Sequence, residues 1–331
     1  MPDMNTISHT HPYDALTPEL VLTAVEQLGY LTTGGLMALN SYENRVYQVA
    51  LADQPHPLII KFYRPLRWSA AQINEEHRFS RQAAEADIPV VLPLADDAGQ
   101  TLHHLNGFDF ALFPRKGGHA PELDYQDNLA IMGRTLARLH NVGARDPFHH
   151  RPALDASSFG HQAIEFVSQH FMPLEYQRTY LDVCQPIMQL IEERLQQTRP
   201  IRVHGDLHVG NILMRDEIPH LVDFDDARMA PAIQDIWMLL SGNEQDQQRQ
   251  LEQIIVAYQD FRDFPFAELK MMDALRTLRM IHHTAWLARR WDDPAFPPAF
   301  PWFDTHRFWE QHIQDLRQQL DTLVSENQTP Y

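Results

Sequence analysis

Three side chains near the middle of the 331-residue chain have types and spacing that suit chemistry on phosphate. Asp206 is followed five positions on by Asn211, and Asp223 lies twelve residues beyond Asn211. The first two sit in Val203-His204-Gly205-Asp206-Leu207-His208-Val209-Gly210-Asn211-Ile212-Leu213, the third in Leu221-Val222-Asp223-Phe224-Asp225-Asp226. A carboxylate at Asp206 can accept a hydrogen bond from an attacking hydroxyl and orient it. A neutral oxygen from Asn211 and a charged one from Asp223 suit a hard cation such as Mg²⁺ that bridges phosphate oxygens. The pattern predicts a polar loop, a strand, a turn over Asp216 to Pro219 and a second short apolar strand that delivers Asp223. That layout gathers all three around one point.

The spacing matches the protein-kinase template of a catalytic Asp, an Asn five positions on and a metal-binding Asp on the next strand. Two positions depart from it: Gly205 stands where those enzymes have Arg, and Asp225 ends Asp223-Phe224-Asp225 where they have Gly. The pattern His-Gly-Asp-x-His-x-x-Asn followed by Asp-x-Asp instead resembles the aminoglycoside-phosphotransferase-like superfamily of kinases. Leu39-Asn40-Ser41-Tyr42-Glu43-Asn44-Arg45-Val46-Tyr47, Lys61-Phe62-Tyr63-Arg64-Pro65, Arg289-Arg290-Trp291 and Asp293-Pro294-Ala295-Phe296-Pro297 resemble a bacterial serine/threonine protein kinase branch of it. They span most of the chain.

The resemblance implies an α+β, bilobal protein-kinase-like fold. A small N-terminal lobe over 1–114 would hold an antiparallel β-sheet plus a helix, and a larger, mainly helical C-terminal lobe over 115–331 the catalytic loop. It implies ATP as co-substrate with Mg²⁺, a protein substrate bearing Ser or Thr, autophosphorylation and a part in stress response. A small-molecule alcohol kinase of the aminoglycoside, choline or homoserine type is the alternative, because one fold serves all of these. It also implies that Lys61 contacts the α/β-phosphates, that Glu76 (rather than Glu75) holds Lys61, and that Asp235 braces the catalytic loop.

The flanking elements must position these groups. Thr17-Pro18-Glu19 reads as a helix start, with Leu20, Val21, Ala24, Val25 and Leu28 on one face and an end near Gly29. Strand-like runs follow at Met37 to Tyr42, Arg45 to Leu51 and Leu58 to Tyr63. Ser41-Tyr42-Glu43-Asn44, at the first turn, is where a kinase covers ATP phosphates. It has no Gly, so Ser41 and Asn44 are expected to reach phosphate through their side chains. A helix over Ala70 to Ala86 carries Glu76. Val90 to Leu94 and Phe108 to Phe113 read as strands, with Asn106-Gly107 as a turn. A hinge is expected at Phe113 to Gly118, with adenine against about Ala111 to Phe113. Helices are predicted from about Tyr125 to His140, Leu174 to Gln197 (kinked or broken at Pro186), then 247–261, 266–291 and 304–322. Residues 146–155, with His149 and His150, read as an exposed loop. Arg276, Arg279, His283, Trp286 and Arg290 fall near one helix face and form a candidate substrate-cleft wall. Residues 1–16 read mostly as an extended arm, and Ser325 to Tyr331 as a frayed tail.

Net charge of −17 opposes nucleic acid and anionic membranes as general partners, so the nucleotide needs a local positive patch, with Lys61, Arg64 and Arg67 as sources. A single cysteine, Cys184, excludes an intrachain disulfide and reads as a buried thiol in an apolar helix. No signal-like start and no run of the ~18 apolar residues that would cross a bilayer is visible, so a cytoplasmic, soluble monomer is expected. Two other classes are weighed. A metal hydrolase would use His204, Asp206, His208, His220 and Asp223. But Gly205 and Gly210 argue against the helix that a His pair four apart needs, and His204 and His208 are expected to hold the loop by hydrogen bonds. A kinase-like scaffold without activity would lack one of Lys61, Asp206, Asn211 or Asp223, and all four are present.

Overall fold

Where apolar spacing, caps and turn residues agree, the elements form where the sequence puts them. The computed structural model describes residues 12–125 and 127–328. These form two compact units. The first takes the residues up to Arg81 with Val90–Gly117; the second takes Gln82–Pro89 and those from Gly118 onward. The first carries an antiparallel sheet and the second is mainly helical.

In the first unit, α1 (Pro18–Glu26) begins at its cap. The Thr17 hydroxyl accepts from the Leu20 amide at 3.3 Å, and Pro18 enters where no helical donor is needed. Val21, Ala24 and Val25 are buried. The strands β1 (Thr32–Leu39), β2 (Arg45–Leu51) and β3 (Leu58–Phe62) follow. After α2 (Ala70–Glu85) come β4 (His103–Leu105) and β5 (Phe108–Pro114), in the sheet order β1-β2-β3-β5-β4. Lys61 is paired with Val46 on one side and Ala111 on the other. Asn106 and Gly107, at φ 47° and 86°, make the tight turn between β4 and β5.

Three expectations need correction here. β1 starts at Thr32, not Met37, and ends at Leu39, not Tyr42. Gly34-Gly35 disguised its start; Gly34 adopts φ 81° where the register slips between the pairs Thr32–Leu51 and Leu36–Val49. Val90 to Leu94 is no strand. Pro89 and Pro93 interrupt its donors, and it attaches by Leu94 N to Leu112 O at 2.7 Å. The arm expected over 1–16 lies outside the described residues as far as 11. Beyond that it is packed, with Tyr13 buried, stacked on Phe108 and donating to Glu43 O at 3.1 Å.

The second unit opens with α3 (Asn128–Gly143), which buries Leu129, Met132, Leu136 and Leu139 and continues past His140. α4 (Gln162–His170) has no counterpart in the sequence reading. α5 (Leu174–Leu195) contains Pro186 without a break, because Val183, Cys184, Ile187, Met188 and Ile191 around it are buried and hold the helix by packing. Burial pushes the Cys184 thiol up to about 12. Next come β6 (Ile201–Val203), the hairpin β7 (Ile212–Arg215) and β8 (Ile218–Leu221), and β9 (Arg228–Ala230), which pairs with β6. The helices α6 (Ile233–Trp237), α7 (Glu244–Tyr258), α8 (Met272–Ala288), α9 (Phe296–Ala299) and α10 (His306–Gln328) complete the chain. The run expected over 266–291 is split: a tight turn over Phe266–Met271 precedes α8. The tail is helical through Gln328, with the rest outside the described residues. Buried Arg194 ties it down by donating to Leu323 O at 2.7 Å and to Glu326 at 2.6 Å.

Candidate active site

The loop between β6 and β7 carries Asp206, and the backbone groups of the two residues before it are held by buried side chains. Asp235 on α6 is fully buried. One carboxylate oxygen accepts from His204 N and the other from Gly205 N, both at 2.8 Å. His140 of α3 donates through Nε2 to Asp235 at 3.3 Å and accepts at Nδ1 from the Tyr258 hydroxyl of α7 at 2.9 Å. Gln234 donates to Gly205 O at 2.9 Å and is itself held by Trp237 Nε1. Three helices therefore fix two peptide units of one loop. Such buried charge-assisted bonds to backbone amides are the stronger kind.

Within the loop, side chains and backbone bond one another. His204 Nδ1 accepts from Asp206 N at 3.4 Å, so the proton lies on Nε2, which donates to Val222 O at 2.9 Å. That bond ties the Asp206 loop to the residue before Asp223. His208 Nδ1 accepts from Gly210 N at 3.0 Å, leaving Nε2 3.7 Å from an Asp206 carboxylate oxygen. Asn211 Nδ2 donates to Asp206 O at 2.9 Å, while Asn211 O accepts from Val222 N at 3.0 Å. With its NH₂ committed in this way, the Asn211 amide presents its oxygen on the other side.

Asp223 stands at φ 59° and ψ 64°, a left-handed conformation that costs a non-glycine residue on the order of 1–2 kcal/mol. The turn after it is clamped from below. Arg151 Nε donates to Ala227 O at 2.6 Å and its Nη2 to Asp225 O, while Arg228 bonds the Asp226 side chain at 2.6 Å. Local strain held by surrounding structure clusters at working sites. Gly205 sits at φ 86°, and a Cβ there would lie 2.2 Å from Asp226 O, so no side chain fits where the protein-kinase template has Arg.

The structure thus brings Asp206, Asn211, Asp223, His204, His208 and Asp235 together in one unit. It adds Arg279 of α8, whose Nη1 donates to Asp206 Oδ1 at 2.7 Å. One turn on, His283 stacks on Trp286 at 5.4 Å, and the Arg290 guanidinium lies over Trp286 at 5.2 Å. Arg276, by contrast, turns to Asp273 and Gln247. His140, Arg151 and Gln234 were not singled out from the sequence. An Arg in a loop or a His at a helix end has no local signature there.

In the first unit, Lys61 and Glu76 are both buried. Ile73 of α2 packs with Tyr63 and Ala111, and His77 bonds Tyr63 OH at 2.8 Å, so Glu76 shares the helix face that meets the sheet. Asn44 is buried and its Oδ1 accepts from Arg64 N at 3.1 Å; Ser41 is half-buried at the same turn. Arg64 and Arg67 lie 3.9 and 3.6 Å from Glu43.

One buried histidine, His312, and two half-buried ones, His282 and His283, set an acid limit. Burial, then nearby arginines, lowers His282 to about 3; burial, then Arg279, lowers His283 to about 4; burial, then His283, lowers His312 to about 4. Between these values and the ordinary 6.5, the unfolded chain binds more protons than the folded one. Stability is therefore full above about 6.5 and falls as pH drops toward 4. Urea unfolding at roughly pH 7.5 and pH 5 should show the loss, and His312→Asn should flatten the slope. An equal slope in that variant would remove His312 from the account.

A buried-lysine sheet unit and a helical unit with a braced Asp loop are the parts of a phosphate-transferring enzyme. The chain belongs to the phosphotransferase enzyme family, whose pattern matches residues 36–272. It is a kinase, moving phosphate to a hydroxyl. It is similar to stress response kinase A of Salmonella typhi, at 40% identity over 94% of each chain. It is equally similar to a protein of Salmonella typhimurium named serine/threonine protein kinase RdoA, at 40% identity over 94% of each. Among solved structures, amicoumacin kinase in complex with AMP-PNP and Ca²⁺ shares the fold, with a TM-score of 0.71, 19% identity and 94% of each chain covered.

Proposed function

We propose that the chain is an ATP-dependent serine/threonine protein kinase that transfers the γ-phosphoryl group of Mg-ATP to a protein hydroxyl, its own included. The observation that carries this reading is the Asp206 loop, pinned at His204 and Gly205 by Asp235 and at the Asp206 carbonyl by Asn211. Relatives at 40% identity named for stress response and for serine/threonine kinase activity support the protein acceptor and a part in stress response.

In this mechanism Asp206 accepts a hydrogen bond from the acceptor hydroxyl and aims its oxygen at the γ-phosphorus. As the new O–P bond forms and the bond to the β-phosphate oxygen breaks, the hydroxyl proton passes to Asp206, late in a loose transition state. Asn211 and Asp223 are the residues that would hold Mg²⁺. The Asn211 amide oxygen is left outward by the bond its nitrogen makes, and Asp223 is exposed, which gives two oxygen donors. Two are enough for an ion that keeps phosphate oxygens and waters as its other ligands. Bound there, Mg²⁺ would offset charge on the transferring phosphate. Glu76 would hold Lys61 in place and Lys61 would contact the α/β-phosphates, since a buried Lys and a buried Glu each need an opposite charge. Ser41 would bond phosphate, and Asn44 would shape the turn that presents it. A cytoplasmic location suits a single buried thiol. No helix among the described residues is long and apolar enough to cross a membrane.

Transfer from γ-labelled ATP with Mg²⁺ tests the reading, using the protein alone and with casein or myelin basic protein. Label on protein that is absent with Asp206→Ala supports it; label only on a small-molecule alcohol overturns the protein acceptor. Asp223→Ala is expected to bind ATP without the gain in affinity that Mg²⁺ brings. A full Mg²⁺ effect in that variant, read by calorimetry, would count against the metal assignment.

A further inference from the structure

We infer that Arg279 reads an anion next to the acceptor hydroxyl, so that the preferred acceptor is a Ser or Thr flanked by an acidic or phosphorylated residue. This deepens the protein-kinase reading and rests on it.

The charge state around Asp206 is the starting point. Arg279 spends one nitrogen on Asp206 Oδ1 at 2.7 Å, and its side chain remains 42% exposed. Its other nitrogens make no further protein hydrogen bond among the described residues. The loop does not need it: Asp235, Gln234, His204 and Asn211 supply the loop's bonds. Neighbouring cations are committed elsewhere, Arg228 to Asp226 and Arg276 to Asp273. His283, depressed to about 4 by burial and then by Arg279, adds no charge at neutral pH. The second Asp206 oxygen, on the His208 side at 3.7 Å, is left to receive a hydroxyl.

The acceptor hydroxyl must therefore approach Asp206 with a half-exposed guanidinium at its side. A planar fork with donors to spare matches a carboxylate or phosphate better than any neutral group. A cationic acceptor, such as an amino sugar or a quaternary amine, would meet like charge at that point.

The test uses Ser peptides that differ only beside the acceptor, carrying Ala, Lys, Asp or phosphoserine, with wild type, Arg279→Ala and Arg279→Lys. The acidic-to-Ala ratio of kcat/KM is read within each variant, so a general loss of rate cancels. In wild type this ratio should be about 10- to 100-fold, the worth of a charge-assisted bond. It should fall close to one in Arg279→Ala and be partly kept in Arg279→Lys. Asp against phosphoserine tells which anion is read. A wild-type ratio near one, or a ratio that survives Arg279→Ala, overturns the inference while leaving the protein kinase intact. Transfer to no peptide but to a small alcohol overturns the protein-kinase reading and this inference with it.

Discussion

Asp206→Ala should cut the rate of phosphate transfer by on the order of 10²–10⁴, the usual worth of a positioned general base. The expectation follows from what the side chain does and does not hold. Its backbone oxygen accepts from His208 N at 3.0 Å and from Asn211 Nδ2, bonds that survive truncation. Its carboxylate, 24% exposed, bonds Arg279 alone at hydrogen-bond distance among the described residues, a partly solvated pair that adds little to stability. The variant should therefore fold, with an unfolding midpoint close to wild type, and fail in chemistry. Asp206→Asn sharpens the test, since it keeps the shape and removes the proton acceptor. Single-turnover transfer from labelled ATP reads the step directly, and near-wild-type turnover in either variant would sink the assignment.

Gly205→Ala should damage both fold and activity. At φ 86° an added Cβ would lie 2.2 Å from Asp226 O, a carbonyl held by Arg228 Nε at 2.8 Å and so unable to retreat. Left-handed strain of about 1–2 kcal/mol and overpacking of about 1–3 kcal/mol give roughly 2–5 kcal/mol of destabilisation. Any relief by moving residue 205 breaks its bonds to Asp235 and Gln234. Urea unfolding and transfer rate should fall together. An unchanged midpoint would mean that the loop adapts in a way this geometry does not allow.

The candidate site is legible in the sequence because the chemistry it would do is tied to spacing. Asp206, Asn211 and Asp223 sit near one another through a loop and a hairpin, and local contacts of that kind can be read along the chain. The same holds for the Thr17 cap, the Asn106-Gly107 turn and the apolar face of α3. Long-range support was not legible. His140 and Tyr258 meet 118 residues apart, and Arg151 reaches the Asp225 turn across 74. No periodicity announces such pairings. The start of β1 is hidden for a different reason: two glycines lower strand propensity, and pairing with β2 overrides it. Pro186 reads as a kink or break by the same local logic, and burial on both sides of it keeps α5 unbroken.

The one thiol of the chain has a use that its burial creates. Cys184 sits on α5 beside Tyr180, nearly inaccessible and with its thiolate disfavoured up to about 12. Oxidants and alkylating reagents attack a cysteine as its thiolate, so the folded protein offers them no thiolate. A cell under oxidative load could keep this enzyme running while exposed thiols elsewhere are modified. The same seclusion makes the sulfur a built-in clock: the pace at which a reagent reaches it counts how often the helical unit opens.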